Sequence, residues 1–205
     1  MASNKSSALK IGDLIELTIE KVAHGGHFIA RHDGAVIFVR HAIPGEKCTI
    51  EITSTGSSFN RADVVAVTEP SEFRVEPPCK YSHRTGCGGC DFQHIDSAHQ
   101  RTLKSHVITE QFSRIAKKEI SVEVEEVGQS LGWRTRAIGT TNRNGKLGFY
   151  KSRSHSIAPV DNCLICVEGM NFSEISSREI KGDVRVEISA STTGERSIAL
   201  APTRG

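Results

Sequence analysis

Five of the six cysteines in this chain fall in two short stretches, and these constrain the fold more than any other feature. Cys79, Cys87 and Cys90 lie in CKYSHRTGCGGC, and Cys163 and Cys166 follow more than seventy residues later, themselves spaced C-x-x-C. Soft thiolates that converge on one point make a zinc or iron–sulfur site, because either centre accepts four sulfurs. A zinc ribbon usually pairs two C-x-x-C knuckles about fifteen to twenty residues apart. The distant fourth ligand here suits a cluster that bridges remote segments, with zinc the alternative. Gly88 and Gly89 let the backbone bend tightly between Cys87 and Cys90 and free amides to bond sulfur.

The chain gives such a centre ample room to be buried, since 205 residues are enough for two small domains. Its formal charge of +2 is too small to argue for nucleic acid without attention to where the charges sit. The N-terminus has no apolar core of the secretory kind, and no run approaches the ~20 apolar residues of a membrane span. A cytoplasmic, reducing setting is therefore expected, in which clustered cysteines favour metal binding over disulfides.

Residues 1–8 read as a disordered leader. Ile15, Leu17 and Ile19 then alternate with Glu16, Thr18 and Glu20, the period of a half-buried strand. Gly25-Gly26 turns the chain. Asp33-Gly34, between Phe28–Ala30 and Ala35–Val39, predicts a two-residue hairpin, because both central positions need positive φ. Cys48, Ile50 and Ile52 form another alternating strand, and Val64, Val65 and Val67 a fifth. Five short, evenly spaced strands predict a small OB-like β-barrel over residues 9–69. Residues 70–78, rich in proline and charge, read as a linker, leaving 79–205 as a second domain. Arg31, Arg40 and Arg61 are the barrel's candidate RNA contacts, although solvated surface is the ordinary role of such residues.

In the second domain, Asp96 or Ser97 caps a helix predicted to reach about Lys118, with Leu103, Val107, Ile108, Phe112 and Ile115 as its core stripe. Leu131 to Val160 contains Arg134, Arg136, Arg143, Lys146, Lys151 and Arg153 and no acidic residue, and Asn144-Gly145 marks a turn within it. A hairpin there would carry these cations on one ribbon beside Trp133, Phe149 and Tyr150. Cations interleaved with aromatics suit RNA, neutralising phosphates and stacking unpaired bases. Val184 to Leu200 reads as a further hairpin turning at Thr193-Gly194.

The order from Lys10 to Ile52 resembles the TRAM domain, a small RNA-binding barrel, with Gly25, Gly34, Phe38-Val39 and Pro44-Gly45-Glu46 at signature positions. CGGCDFQH, with Cys87, Cys90, Gln93 and His94, resembles the iron–sulfur motif of RNA uracil-C5 methyltransferases. So does the run from Leu131 to Cys163, through Trp133-Arg134, Arg136 and Gly148-Phe149. This resemblance implies a [4Fe-4S] cluster held by Cys79, Cys87, Cys90 and Cys163. It leaves Cys166 as a spare thiol and Cys48 in a barrel strand. The gap from Cys79 to Cys87 is longer than the family's usual one, and Cys166 could substitute for Cys163.

The resemblance implies a mainly β protein: a TRAM barrel followed by an incomplete α+β central domain carrying an iron–sulfur site. It also implies that rRNA or tRNA is the partner. In that family a C-terminal doubly wound domain binds S-adenosylmethionine, with a glycine loop between strand and helix, and supplies the nucleophilic cysteine and base. No glycine loop of that kind is found here, so the chain reads as a truncated, RNA-recognition half without catalytic residues, the methyltransferase half being separate. The alternatives are a zinc-bound, non-enzymatic interaction module and, less favoured, a Cys163–Cys166 redox sensor.

Overall fold

The computed structural model describes residues 9–203; the expected leader, residues 1–8, lies outside them. Eleven named strands and few helices make a mainly β protein. The chain divides into two compact units, and the division does not follow the linear order. One unit contains the residues up to Glu76 together with Asp91–Glu125, and the other contains Pro77–Cys90 together with the residues from Glu126 onward.

The first unit is built on a six-stranded sheet, ordered β1 (Leu14–Thr18), β5 (Lys47–Ser54), β6 (Asn60–Glu69), β4 (Ala35–Arg40), β3 (His27–His32), β2 (Lys21–Ala23). β2 is a sixth strand that the sequence pattern does not single out. It continues β1, and together they close the sheet. The chain leaves its pairing with β5 through Ile19 N–H to Glu46 O (2.9 Å), and joins β3 through Glu20 N–H to Ile29 O (2.8 Å). Three register shifts between β5 and β6 coil the sheet, as bulges do. The expected Asp33-Gly34 turn forms with both residues at positive φ (47° and 82°).

Inward side chains Phe28, Ile37, Val39, Ile50 and Ile52 are fully buried, each worth about 1.5–3 kcal/mol relative to exposure. Beneath them lies the carboxylate of Glu46, also fully buried. It accepts from Arg74 Nε and Nη2 (2.6 Å each), Ile43 N–H (2.8 Å) and Ser71 N–H (3.1 Å). Arg74 Nη2 also donates to His41 O at 2.8 Å. This bidentate pair fixes residues 71–74, expected to be a linker, against the barrel.

Residues 91–125 were expected in the second domain but pack on the barrel, because their apolar side chains join its core. Ile95 and Leu103 are buried in that core, with Phe92 and Val107 against it. α1 (Ser97–Gln111) starts as expected, the Asp96 carboxylate accepting from Ala98 N–H (2.9 Å) and His99 N–H (3.1 Å). Its far end departs from expectation: Phe112 is 44% and Ile115 71% exposed, not core. After Gln111 the chain enters a π-helical turn, Phe112–Ala116, whose wider spacing takes these residues off the 3.6-residue stripe. His94 is buried, its Nε2 donating to Ala42 O at 3.0 Å.

The second unit holds a five-stranded antiparallel sheet ordered β11 (Arg196–Pro202), β10 (Val184–Ala190), β7 (Arg136–Thr141), β8 (Leu147–Tyr150), β9 (Ile157–Pro159). Both expected hairpins form, at Asn144-Gly145 and at Thr193-Gly194, each glycine at positive φ (70° and 90°). Met170, Phe172 and Ile175, from a 3-10 turn (Glu168–Met170) and α2 (Phe172–Ser176), pack with Leu147, Val186 and Ile188.

Two stability outcomes are expected. Glu46→Ala leaves Arg74 without its carboxylate and should cost about 3–5 kcal/mol in denaturant unfolding. Burial lowers the His94 pKa to about 4, so the folded protein keeps this ring neutral where the unfolded chain, near 6.5, takes up a proton. Its contribution is therefore whole above pH 6.5 and declines towards pH 4, by about 3 kcal/mol. Unfolding of His94→Gln should lack that part of the pH slope.

Candidate metal centre and nucleic-acid interface

The loop from Cys79 to Cys90 is shaped by its own backbone. Ser82 N–H bonds Cys79 O (2.9 Å), Gly86 N–H bonds His83 O (3.0 Å) and Cys87 N–H bonds Tyr81 O (3.0 Å). Two side chains tether it to the segment before Cys163: Lys80 pairs with Asp161 (2.6 Å), and the Tyr81 hydroxyl accepts from Asp161 N–H (3.1 Å). Gly88 N–H then donates to Tyr150 O, at the end of β8 (3.0 Å).

The two glycines serve different ends from the sharp bend expected of both, since neither has positive φ. Gly88 is required by close approach: a Cβ there would stand 2.6 Å from Ser152 N and 2.9 Å from Tyr150 O. Gly89 supplies the expected amide to sulfur, donating to Cys87 Sγ at 3.4 Å.

Cys79, Cys87, Cys90, Cys163 and Cys166 all belong to this unit, whereas Cys48 is buried in the barrel, where burial pushes its thiol up to about 12. The Cys87 thiol is raised, first by burial and then by the nearby Cys90, Cys163 and Cys79 sulfurs. Cys163, distant in sequence, is thus among the groups that act electrostatically on Cys87. Cys163 is lowered because the Cys166 thiol donates to it, which raises Cys166 in turn. Cys166 is buried among Met170 and Val186, and the parallel bridge from its residue to Arg134 fixes the C-x-x-C turn.

Among the described residues, no group of three or more His, Cys, Asp or Glu side chains is arranged to hold a metal ion. A single tetrahedral zinc would need sulfurs at about 2.3 Å from one centre, whereas a four-iron cube takes its thiolates at separate corners. The donor chemistry, soft sulfurs with an amide on one of them, suits either centre.

Gln93 and His94, grouped with Cys87 and Cys90 by the CGGCDFQH resemblance, lie in the other unit, since the division falls between Cys90 and Asp91. His94 serves the barrel core.

The six cations of the expected ribbon are not spread along two strands. Arg136 alone lies in a strand, and it pairs with Glu187 of β10 at 2.6 Å, a carboxylate from outside the acid-free segment. Arg143 and Lys146 stand exposed at the turn, and Lys151 and Arg153 lie in the loop after β8. Arg134 precedes β7, its guanidinium 5.4 Å from the half-exposed Trp133 ring.

In the barrel, Arg40 is buried between Asp63 (3.8 Å) and Asp91 (3.1 Å), so it is a fold residue and no phosphate ligand. Arg31 pairs with Glu20. Arg61 lies against two aromatic rings that the sequence reading did not connect with it.

Residues 8–65 match the TRAM domain family. The chain is 37% identical over 211 residues to a protein of Streptomyces coelicolor named as an RNA methyltransferase, covering 95% of this chain and 46% of that one. It is 35% identical over 190 residues to the 23S rRNA (uracil(1939)-C(5))-methyltransferase RlmD of Thiobacillus denitrificans, covering 86% and 43%. The chain thus spans about half the length of the curated relatives it matches. Its fold resembles that of the Pyrococcus abyssi tRNA (uracil-54, C5)-methyltransferase, solved with S-adenosyl-L-homocysteine, with a TM-score of 0.57 and 15% identity over 92% of this chain and 46% of that one.

Gly88→Ala should destabilise the second unit by about 1–3 kcal/mol, read as a lower denaturant midpoint. Gly89→Ala, whose Cβ would meet only Cys87 Sγ at 3.4 Å, should stay within about 0.5 kcal/mol.

Proposed function

Because residues 8–65 match the TRAM domain family and the chain is similar to RNA methyltransferases over about half their length, we propose that it is the RNA-recognition part of a uracil-C5 methyltransferase. Its partner is rRNA or tRNA, and a [4Fe-4S] cluster held by Cys79, Cys87, Cys90 and Cys163 ties its second unit together. The observation that supports the cluster is the tethering of the cysteine loop to the segment before Cys163, where the Tyr81 hydroxyl accepts from Asp161 N–H at 3.1 Å. Such a cluster supplies a structural clamp, while the chain's own tethers, Lys80 to Asp161 and Gly88 to Tyr150, bring the same segments together. Cys166, buried and donating to Cys163, is a supporting thiol.

RNA contact is assigned to Arg134, Arg136, Arg143, Lys146, Lys151 and Arg153. Arg143 and Lys146, exposed at a turn, are the strongest of these, and Arg136 the weakest because Glu187 already holds it. Methyl transfer from S-adenosylmethionine belongs to a doubly wound domain of the kind described above. Among the described residues the strand pairs are antiparallel apart from β4 with β6, and no glycine loop joins a parallel strand to a helix. The RNA-recognition role is assigned to these residues and methyl transfer to a domain of that kind. No helix among the described residues is long and apolar enough to cross a membrane.

Anaerobically purified protein should contain iron and acid-labile sulfide, and Cys87→Ser should lose both. One zinc per chain with no iron would favour the interaction-module alternative. Labelled S-adenosylmethionine should transfer no methyl group to uridine-containing RNA with this chain alone. Arg143→Ala with Lys146→Ala should flatten the slope of log affinity against log salt by about 1.4, if each contacts one phosphate of a single strand.

A further inference from the structure

β3, β4 and β6 place an aromatic cluster on the outer face of the barrel. Ile29 pairs with Phe38, and Phe38 with Arg61, so these three form one row across the strands. Inward neighbours Phe28, Val39 and Ala62 fill the core, whereas Phe38 and Phe59 take no part in it. Phe59, just before β6, is 39% exposed. Its ring meets Phe38 edge to face at 5.2 Å and 89°, and His27 meets Phe38 at 6.2 Å. The Arg61 guanidinium lies 5.0 Å from the Phe59 centroid and 5.8 Å from that of Phe38, with Nη1 3.5 Å from His27 Nε2.

Two large rings outside the core must be explained by something other than packing. An exposed ring offers a face for stacking, and a guanidinium held against it presents a positive charge where the phosphate of a stacked nucleotide would lie. Only an unpaired base can use such a face, because a duplex hides its bases between neighbours.

We infer that His27, Phe38, Phe59 and Arg61 form a platform that stacks one unpaired RNA base and holds its phosphate. This rests on the reading of the chain as an RNA-binding protein, and it adds a second point of contact, in the barrel, to the cations of the second unit.

The test uses the full chain and a labelled single-stranded, uridine-rich RNA carrying 2-aminopurine as a stacking reporter, with a duplex of the same sequence for comparison. The wild-type chain should bind the single strand and quench the reporter. Phe59→Leu, which keeps an apolar side chain but removes the ring, should weaken binding by about tenfold and abolish the quenching. Phe59→Trp should retain both, and its indole emission should fall on binding. Duplex affinity should be the same in all three.

If the wild-type chain binds and Phe59→Leu matches it in affinity and quenching, the platform is overturned while RNA binding stands. The same result is expected if the patch serves a protein partner. If the wild-type chain binds neither RNA, the RNA-binding reading fails and the platform with it.

Discussion

The buried carboxylate of Glu46 is the interaction on which the first unit depends. A charge with no exposure to water is tolerable only when paired and hydrogen-bonded, and Glu46 has four donors within 3.1 Å. Two of these come from one guanidinium, so the segment from Ser71 to Arg74 is held where the barrel needs it. That placement sets where the chain leaves the barrel. Arg74 also bridges to Ile95, bringing the segment before α1 alongside. A barrel, a nominal linker and a helix thereby become one unit.

The second unit is organised by tethers and not by a single buried charge. Its cysteine loop is joined to the segment before Cys163 through Lys80, Tyr81 and Asp161, and to β8 through Gly88. These contacts bring the sulfurs into one another's electrostatic reach. Under the proposed function the labour is divided: the exposed cations of the turn after β7 neutralise phosphates, while the barrel carries the outward rings.

Much of the local structure was legible. Asp33-Gly34 and Asn144-Gly145 demanded hairpins because each ends on a glycine, which takes positive φ without strain, and Asp96 announced a helix because its carboxylate can accept two otherwise unpaired amides. Less legible was the fate of apolar residues near a helix end. Phe112 and Ile115 continue the spacing of Leu103 and Val107, yet a π-helical turn shifts their phase and they face solvent. The candidate site was legible in its cysteines and in the acid-free run, but not in Glu187, which reaches Arg136 from a strand fifty-one residues away. Nor was Arg61 distinguishable from Arg31 or Arg40, since only the strand register shows which arginine meets rings and which meets carboxylates.

The sequence by itself determined the hairpins, the barrel's alternating strands, the helix start and the thiol-rich character of the site, because these depend on backbone dihedrals, side-chain period and residue chemistry. Tertiary structure alone decided that residues 91–125 belong to the barrel, that His94 leaves its cysteine motif for the barrel core, and that Phe38 and Phe59 face outward beside Arg61. Each of those outcomes turns on which remote groups meet, and such meetings are set by burying charge and apolar surface together over long stretches of chain.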